Sequence, residues 1–318
     1  MDRKAQALVV TLWVVLSLTV LAVSIGHRVS IGLRLSSYQR DKLKAFYLAK
    51  AAVNRVIAEI NNDSSPEYDS LGDKWADNEE IFKKISFTNG NEYASVGYNI
   101  VDAYDEIKII YGVVDEERKI NINTASPELL DVLFEESEID WAARDLINNI
   151  LIWRGDLPDA GKIYENLGYV CKSGRFKNIE ELILVKGMTW EDIEKLRKNI
   201  TVYTEGSINI NTVSPELLKI VARASAKRLS VGYSFAESVA DKIFTLRNEK
   251  KYFENKEAIA ISTTGDEELN IFNDLLANVV LKSDNFFIAA NGNSGKIKRE
   301  IVSVYNRKDK RMEYWHEI

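Results

Sequence analysis

Gln6–Gly26, QALVVTLWVVLSLTVLAVSIG, carries no charged side chain over 21 residues. That matches the ~20 apolar residues with which a helix crosses a bilayer. From Arg28 the composition turns mixed, yet no Pro and only one Gly, Gly32, interrupts it before Pro66. Leu43, Phe46, Val53, Val56, Ile57 and Ile60 recur at helical steps, with one gap of seven between Phe46 and Val53, as on the apolar stripe of an amphipathic helix. The stretch therefore predicts one helix to about Asn61, in lipid at its start and packed on a soluble domain at its end.

A cleavable secretory signal has an apolar core of about 7–15 residues and a small-residue cut after it; this run is longer, and helix continues beyond it. A plain single-pass anchor fits the length, with Arg3-Lys4 held in the cytoplasm by the positive-inside rule and the remainder sent outward. A third reading starts from the shortness of the leader: Asp2, Arg3 and Lys4, then small Ala5, then the apolar run at once. This resembles the class III leader of type IV pilins and type II secretion pseudopilins. The resemblance implies cleavage by a prepilin peptidase after residues 1–5, with Gln6 as the first mature residue and residues 6–26 as the transmembrane part.

The 318 residues carry 42 Lys and Arg against 48 Asp and Glu, a net charge of −6. The cations are spread, so no polybasic tail points to nucleic acid or anionic lipid. Cys171 is the single cysteine and makes no internal disulfide; His27 and His316 are the only histidines. Zinc sites built from Cys and His are thereby excluded in practice, and Ser/His or Cys/His catalysis is poorly supplied. The chain reads as a non-enzyme.

After the long helix comes a polar loop, Asn61 to Asp73, and a short helical piece near Asn78 to Ile85. Turn residues follow at Asn89-Gly90-Asn91. Strand patterns cover Tyr93 to Val101 and Ile107 to Val114, with Asp105-Glu106 suited to the turn between them. The period then changes. Ile120-Asn-Ile-Asn-Thr-Ala-Ser-Pro-Glu-Leu-Leu130 recurs as Ile208-Asn-Ile-Asn-Thr-Val-Ser-Pro-Glu-Leu-Leu218, differing only at Ala125/Val213, at an offset of 208 − 120 = 88 residues. In each copy an extended piece stops at a helix start: Ser126 or Ser214 as N-cap, Pro127 or Pro215 at the first helical position, and Glu128 or Glu216 favoured by the helix dipole. Helical patterns fill Pro127 to Glu135, Asp140 to Trp153, Asn178 to Val185, Thr189 to Arg197, Pro215 to Arg228, Phe235 to Arg247 and Asp266 to Asn273. Strands return at Asn285 to Ala290, Lys296 to Asn306 and Arg311 to Glu317, the first two joined through Asn291-Gly-Asn-Ser-Gly295. The fold class expected is α+β: a long N-terminal helix on one antiparallel sheet, two strands before and three after a large all-helical insertion. The parts are residues 27–119, the first part of the sheet domain; 120–276, the insert; and 277–318, the last strands.

With these motifs in order, the chain resembles the K-type minor pseudopilin of type II secretion, the general secretion pathway protein K family. The matching pieces are Ala5 and Gln6-Ala-Leu-Val-Val10, the two INTxSPELL copies, Trp153-Arg-Gly-Asp156 through Gly161 to Tyr164 and Glu165, Phe176-Lys-Asn-Ile-Glu-Glu-Leu182 leading to Val185-Lys-Gly-Met-Thr189, and Ile200-Thr-Val-Tyr203. The resemblance implies a pilin-like domain with a helical insert, anchored in the inner membrane with its soluble part in the periplasm, and methylation of the chain. It further implies partnership with other minor pseudopilins at the tip of the pseudopilus, where the fibre supports export across the outer membrane without catalysis. Calcium is bound by family members, and Asp156, Asp159 and Glu165 are the candidate oxygen ligands here; calcium takes six to eight oxygens, and a solvated acidic loop is the competing reading of those three.

Three departures stand out. The family usually has Gly where Ala5 stands, and the acidic run after the tryptophan is thinner. Pilins also carry Glu at the fifth mature position, where this chain has Val10.

The competing function is a membrane-anchored DNA-binding protein, since INTAS-type segments also resemble helix-hairpin-helix repeats. Such hairpins hold phosphate on backbone N–H groups of a Gly-x-Gly turn beside Lys or Arg. Glu136-Ser-Glu138 and Lys186-Gly-Met-Thr189 occupy those places, followed by Trp190-Glu-Asp192, so nucleic acid is not an expected partner. Trp75, Trp141, Trp153, Trp190 and Trp315 read as core or interface packing.

Overall fold

Helix α1 runs unbroken from Arg3 to Asn61, about 88 Å at 1.5 Å per residue. The computed structural model describes residues 3–63, 65, 67–87, 92–101, 106–140, 142, 145–159 and 162–318. The Asn89–Asn91 turn, Asp105, Trp141 and Gly161 lie outside them. Only the C-terminal part of α1 is buried, through Ala45, Leu48, Ala49, Ala52, Val53, Val56 and Ile60. This seam is rotated from the stripe expected from sequence: Leu43 is 57% exposed, and Phe46 and Ile57 are half-buried. The alanines take their place because the sheet comes so close. A Cβ on Gly292 would collide with the backbone of Ala45 and Ala49, so small residues on both sides let helix and strand backbones touch.

After α2 (Glu79–Phe82) come β1 (Tyr93–Val96), β2 (Tyr98–Val101), β3 (Ile107–Ile110), β4 (Val114–Asp115) and β5 (Ile120–Asn121). The insert holds α3 (Pro127–Glu136), α4 (Leu146–Trp153), α5 (Ile163–Asn166), α6 (Trp190–Leu196), β6 (Ile200–Thr201), β7 (Ile208–Asn209), α7 (Pro215–Leu229), α8 (Tyr233–Lys250), α9 (Gly265–Ala277) and β8 (Val279–Val280). The chain ends in β9 (Asn285–Ser294), β10 (Ile297–Asn306) and β11 (Arg311–Glu317).

The main sheet is antiparallel in the order β1-β9-β10-β11, with β4 also on β9. Two strands before the insert and three after it do share one sheet, but not the two runs expected. The first run breaks at Gly97, whose N–H donates to Ala289 O at 3.1 Å. The chain then leaves the sheet, and β2 pairs with β3 in a separate hairpin. The strand that returns to β9 is the two-residue β4. Asn291 to Ser294, read as a loop from their turn-forming types, continue β9; the reversal falls at Gly295, φ +59°.

The insert holds two copies of one unit, whose first eleven residues are the plainest repeat in the sequence. In each unit the INT strand pairs in parallel with the unit's last strand: Ile120 opposite Ile200 and Ile208 opposite Val279. Asn123 Nδ2 donates to Phe176 O at 3.0 Å and Asn123 Oδ1 accepts from Phe176 N at 2.7 Å. Asn211 and Phe253 repeat this at 3.0 and 2.8 Å. Arg154 donates to the carbonyls of Ile122 and Ala125, and Arg247 to those of Ile210 and Val213. Ser126 and Ser214 cap α3 and α7 at 3.2 Å. Residues 179–184, expected as a helix, form a 3-10 turn capped by Asn178, and Asn255 caps the matching turn at 256–258. Trp75 and Trp153 sit in the cores of the sheet domain and insert, while Trp190 is 54% exposed.

Sheet, insert and the loop after α1 meet at Asp69. Its carboxylate accepts two bonds from Arg307, at 2.9 and 2.6 Å, and one from Ser283 N at 2.6 Å. Its backbone N–H donates to Leu281 O at 2.7 Å. Asp115 Oδ2 lies beside this joint and accepts from Thr212 Oγ1, Ser283 Oγ and Asn209 Nδ2 at 2.5, 2.7 and 3.3 Å. Removing one partner of a buried ion pair costs about 3–5 kcal/mol. Asp69→Asn is therefore expected to lower unfolding stability by about that amount, read by urea denaturation of the detergent-solubilised chain.

Candidate functional site

Between Gln6 and Gly26 every side chain of α1 is exposed, and the helix is long and apolar enough to cross a membrane. The hydroxyls of Thr11 and Thr19 donate to Leu8 O at 2.9 Å and Leu16 O at 2.7 Å. Their polarity is thus satisfied inside the helix, as hydrocarbon requires. The Ala5–Gln6 peptide lies near the start of α1. Val10 is 62% exposed and places an alkyl group, with no acceptor for a neighbouring amine, on the bare surface.

The three sequence-derived calcium candidates have separate partners. Asp156 pairs with Arg154 at 2.5 Å. Asp159 accepts the N–H groups of Ile163 and Tyr164, at 2.7 and 3.3 Å, holding the start of α5. Glu165 faces Lys162 at 3.1 Å. Among the described residues the carboxylates that do converge are Asp63, Asp69 and Asp73, with ligand-capable oxygens within 4.8 Å of one another. This grouping was missed because the three stand six and four residues apart in an irregular loop, where spacing imposes no face. They could offer oxygens to a hard cation, although the Arg307 guanidinium already neutralises Asp69.

Burial, with the charges of Asp63 and Asp69 nearby, pushes the Asp73 carboxyl up to about 6, and burial raises Asp63 as well.

The insert has no phosphate cradle among its described residues. Arg223 is held by Glu136 and Glu237, Lys219 by Asp241 at 2.9 Å, and Lys195 by Glu191 at 3.1 Å. The groove between α3 and α7 mixes Glu136, Glu138 and Glu216 with lysines. A duplex would have to displace these carboxylates, which disfavours DNA binding.

These elements define a class: a pilin-like α+β domain on a lipid-length helix, interrupted by a duplicated helical insert. The structure is similar to a chain of the GspK-GspI-GspJ complex from the enterotoxigenic Escherichia coli type 2 secretion system. The TM-score is 0.61 at 13% sequence identity, over 90% of this chain and 97% of that one. No protein-family model matches the chain, and no curated protein matches it. The fold is GspK-like, as the sequence motifs implied.

Asp73 carries a sign for pH. Its carboxyl binds its proton more tightly folded than at the ordinary value of 3.8, so its contribution is full below about pH 4 and is lost as pH rises through about 6. Melting temperatures at intervals from pH 4 to 7 are expected to fall along this window, and Asp73→Asn is expected to flatten that fall.

Proposed function

We propose that the chain is a non-enzymatic minor pseudopilin of a type II secretion system that sits at the tip of the pseudopilus, capping or initiating the fibre. The observation that carries this reading is α1, a single helix whose first part is bare and apolar and whose last part is the spine of a pilin-like domain. Ordinary membrane anchors need no such continuity. A prepilin peptidase removes residues 1–5, leaving Gln6 as the first residue of a subunit held in the inner membrane with its soluble part in the periplasm.

The tip position follows from two features. In pilins the carboxylate at the fifth mature residue is thought to neutralise the terminal amine of a neighbouring subunit, and an unpaired charge in lipid is costly. Val10 offers no such acceptor for a subunit ahead of it, so α1 enters an assembly at its top but does not repeat along it. The insert supports the same placement, since a duplicated helical unit on every copy would obstruct close stacking. Other minor pseudopilins are the partners this requires.

Two measurements test the reading. The intact mass of membrane-extracted protein is expected to correspond to a start at Gln6; a start at Met1 or beyond Gly26 contradicts it. Cysteine cross-linking along Leu8 to Leu21, in cells expressing the full set of minor pseudopilins, is expected to join this chain to a few minor partners. Abundant adducts between copies of the chain would overturn the cap.

A further inference from the structure

The two repeat units can be read against each other. In the second, three side chains close on one carboxyl oxygen: Asp115 Oδ2 accepts from Thr212 Oγ1 at 2.5 Å, from Ser283 Oγ at 2.7 Å and from Asn209 Nδ2 at 3.3 Å. Asp115 is brought there by β4, outside the insert. Sequence and strand register fix the counterparts in the first unit. Asn121 and Thr124 stand for Asn209 and Thr212, 88 residues earlier. Asn121 lies opposite Thr201 and Asn209 opposite Val280, so Thr204 and Ser283, each three residues further on, correspond, and both carry a hydroxyl on Cβ.

In the first unit the same three groups hold no carboxyl among the described residues. Asn121 Nδ2 donates to Thr204 O. Thr124 Oγ1 reaches Asn121 O at 3.4 Å, a long contact that Thr212 repeats to Asn209 O at 3.5 Å while also binding Asp115. Thr204 Oγ1 has no partner, although Thr204 is only 1% exposed. Buried side-chain polar atoms are nearly always hydrogen-bonded, and Ser283 shows what a hydroxyl at this place binds when its partner is present.

A cavity of about 130 Å³ lies against these residues, between the two units. Asn121, Thr124 and Ser126 line it from the first, and Ser225, Arg228 and Asn278 from the second. A water takes about 30 Å³ of liquid volume, so the space admits a group of a few non-hydrogen atoms and nothing much larger. Gly206 borders it at φ +105°, where a Cβ would run into the Thr124 side chain. The walls suit negative charge. Helix α3 starts at Ser126, and the positive end of a helix favours an anion. Arg228 adds a guanidinium, which also pairs with Asp274; the hydroxyls of Thr124 and Thr204 are the donors left for a guest.

We propose that this cavity binds a carboxylate from outside the chain through Thr124 and Thr204, as the second unit binds Asp115. The guest is a small free monocarboxylate or the Asp or Glu side chain of a neighbouring protein, and the chemistry that recognises it is the same. The proposal stands apart from the minor-pseudopilin reading, since it rests on the comparison of the two units.

The test titrates the detergent-solubilised full chain with sodium acetate against sodium chloride at fixed pH and ionic strength, following the acetate methyl by saturation-transfer NMR and the protein by its melting temperature. Acetate is expected to give a saturable signal and to raise the melting temperature above that in chloride. Thr204→Val, similar in shape and lacking the orphan hydroxyl, is expected to be as stable as the parent in chloride or more so, and to bind acetate at least tenfold more weakly; Thr124→Val is expected to weaken it in the same direction. Thr212→Val is expected to do the reverse, lowering the melting temperature in chloride because Asp115 loses a donor already in use, with acetate affinity unchanged. Absence of a saturable acetate signal, an affinity unchanged in Thr204→Val, or equal saturation by inorganic phosphate would overturn the proposal, the first of these leaving water as the occupant. Repeating the titration on the chain extracted together with its bound proteins separates the two sources: acetate binding that persists assigns the site to a free carboxylate, and binding that is blocked assigns it to a partner's side chain.

Discussion

The ion pair between Asp69 and Arg307 is the constraint on which the arrangement of the chain depends. Three segments far apart in sequence meet there: the loop that leaves α1, the end of β10, and the strand that closes the insert. Buried charges are tolerated only when paired and hydrogen-bonded. Asp69 meets that condition only if all three segments arrive together. Ser283 links the pair to Asp115, and Asn209 of the second repeat donates to both Asp115 and Ser283. The insert is thereby keyed to the sheet by polar geometry, whereas apolar contact alone would allow it to slide.

The same logic explains which parts of the duplication survived in the sequence. The identical stretch of the two copies joins residues that satisfy backbone groups, the asparagines that clamp Phe176 and Phe253 and the serines that cap α3 and α7, to the core pairs Ile122/Ile210 and Leu130/Leu218. Further along each unit the apolar positions keep volume rather than identity, and α6 and β6 look unrelated in sequence to α9 and β8. Legibility followed this division. The long helix, the interrupted sheet and the two INTxSPELL starts were readable because periodicity and capping chemistry are local. Gly97, the small-residue seam of α1 and the Asp63–Asp69–Asp73 grouping were not, because each is decided by what the rest of the fold brings close. Phe176-Lys-Asn-Ile-Glu180 against Phe253-Glu-Asn-Lys-Glu257 was the available signal of the full duplication. It reads as weak until the Asn123 and Asn211 clamps show why that phenylalanine follows each repeat.

Helix α1 changes in composition along its length, and its first part is long and apolar enough to cross a membrane. Up to Gly26 it is large and aliphatic on every side, which suits lipid and imposes no rotation about the helix axis. From Ala45 onward it is small on one side only, and the Ala45–Gly292 contact fixes rotation and height together. Between the two lies a stretch, residues 27–44, that is largely exposed and carries Arg28, Arg34, Arg40, Lys42 and Lys44 against Asp41. At about 1.5 Å per residue this spans roughly 27 Å. The helix is continuous across this stretch, with no break between its apolar first part and the sheet. In the reading proposed for this chain, the same unbroken helix that would enter the bilayer also forms the spine of the sheet domain, and the Asp69 contacts tie that domain to the insert.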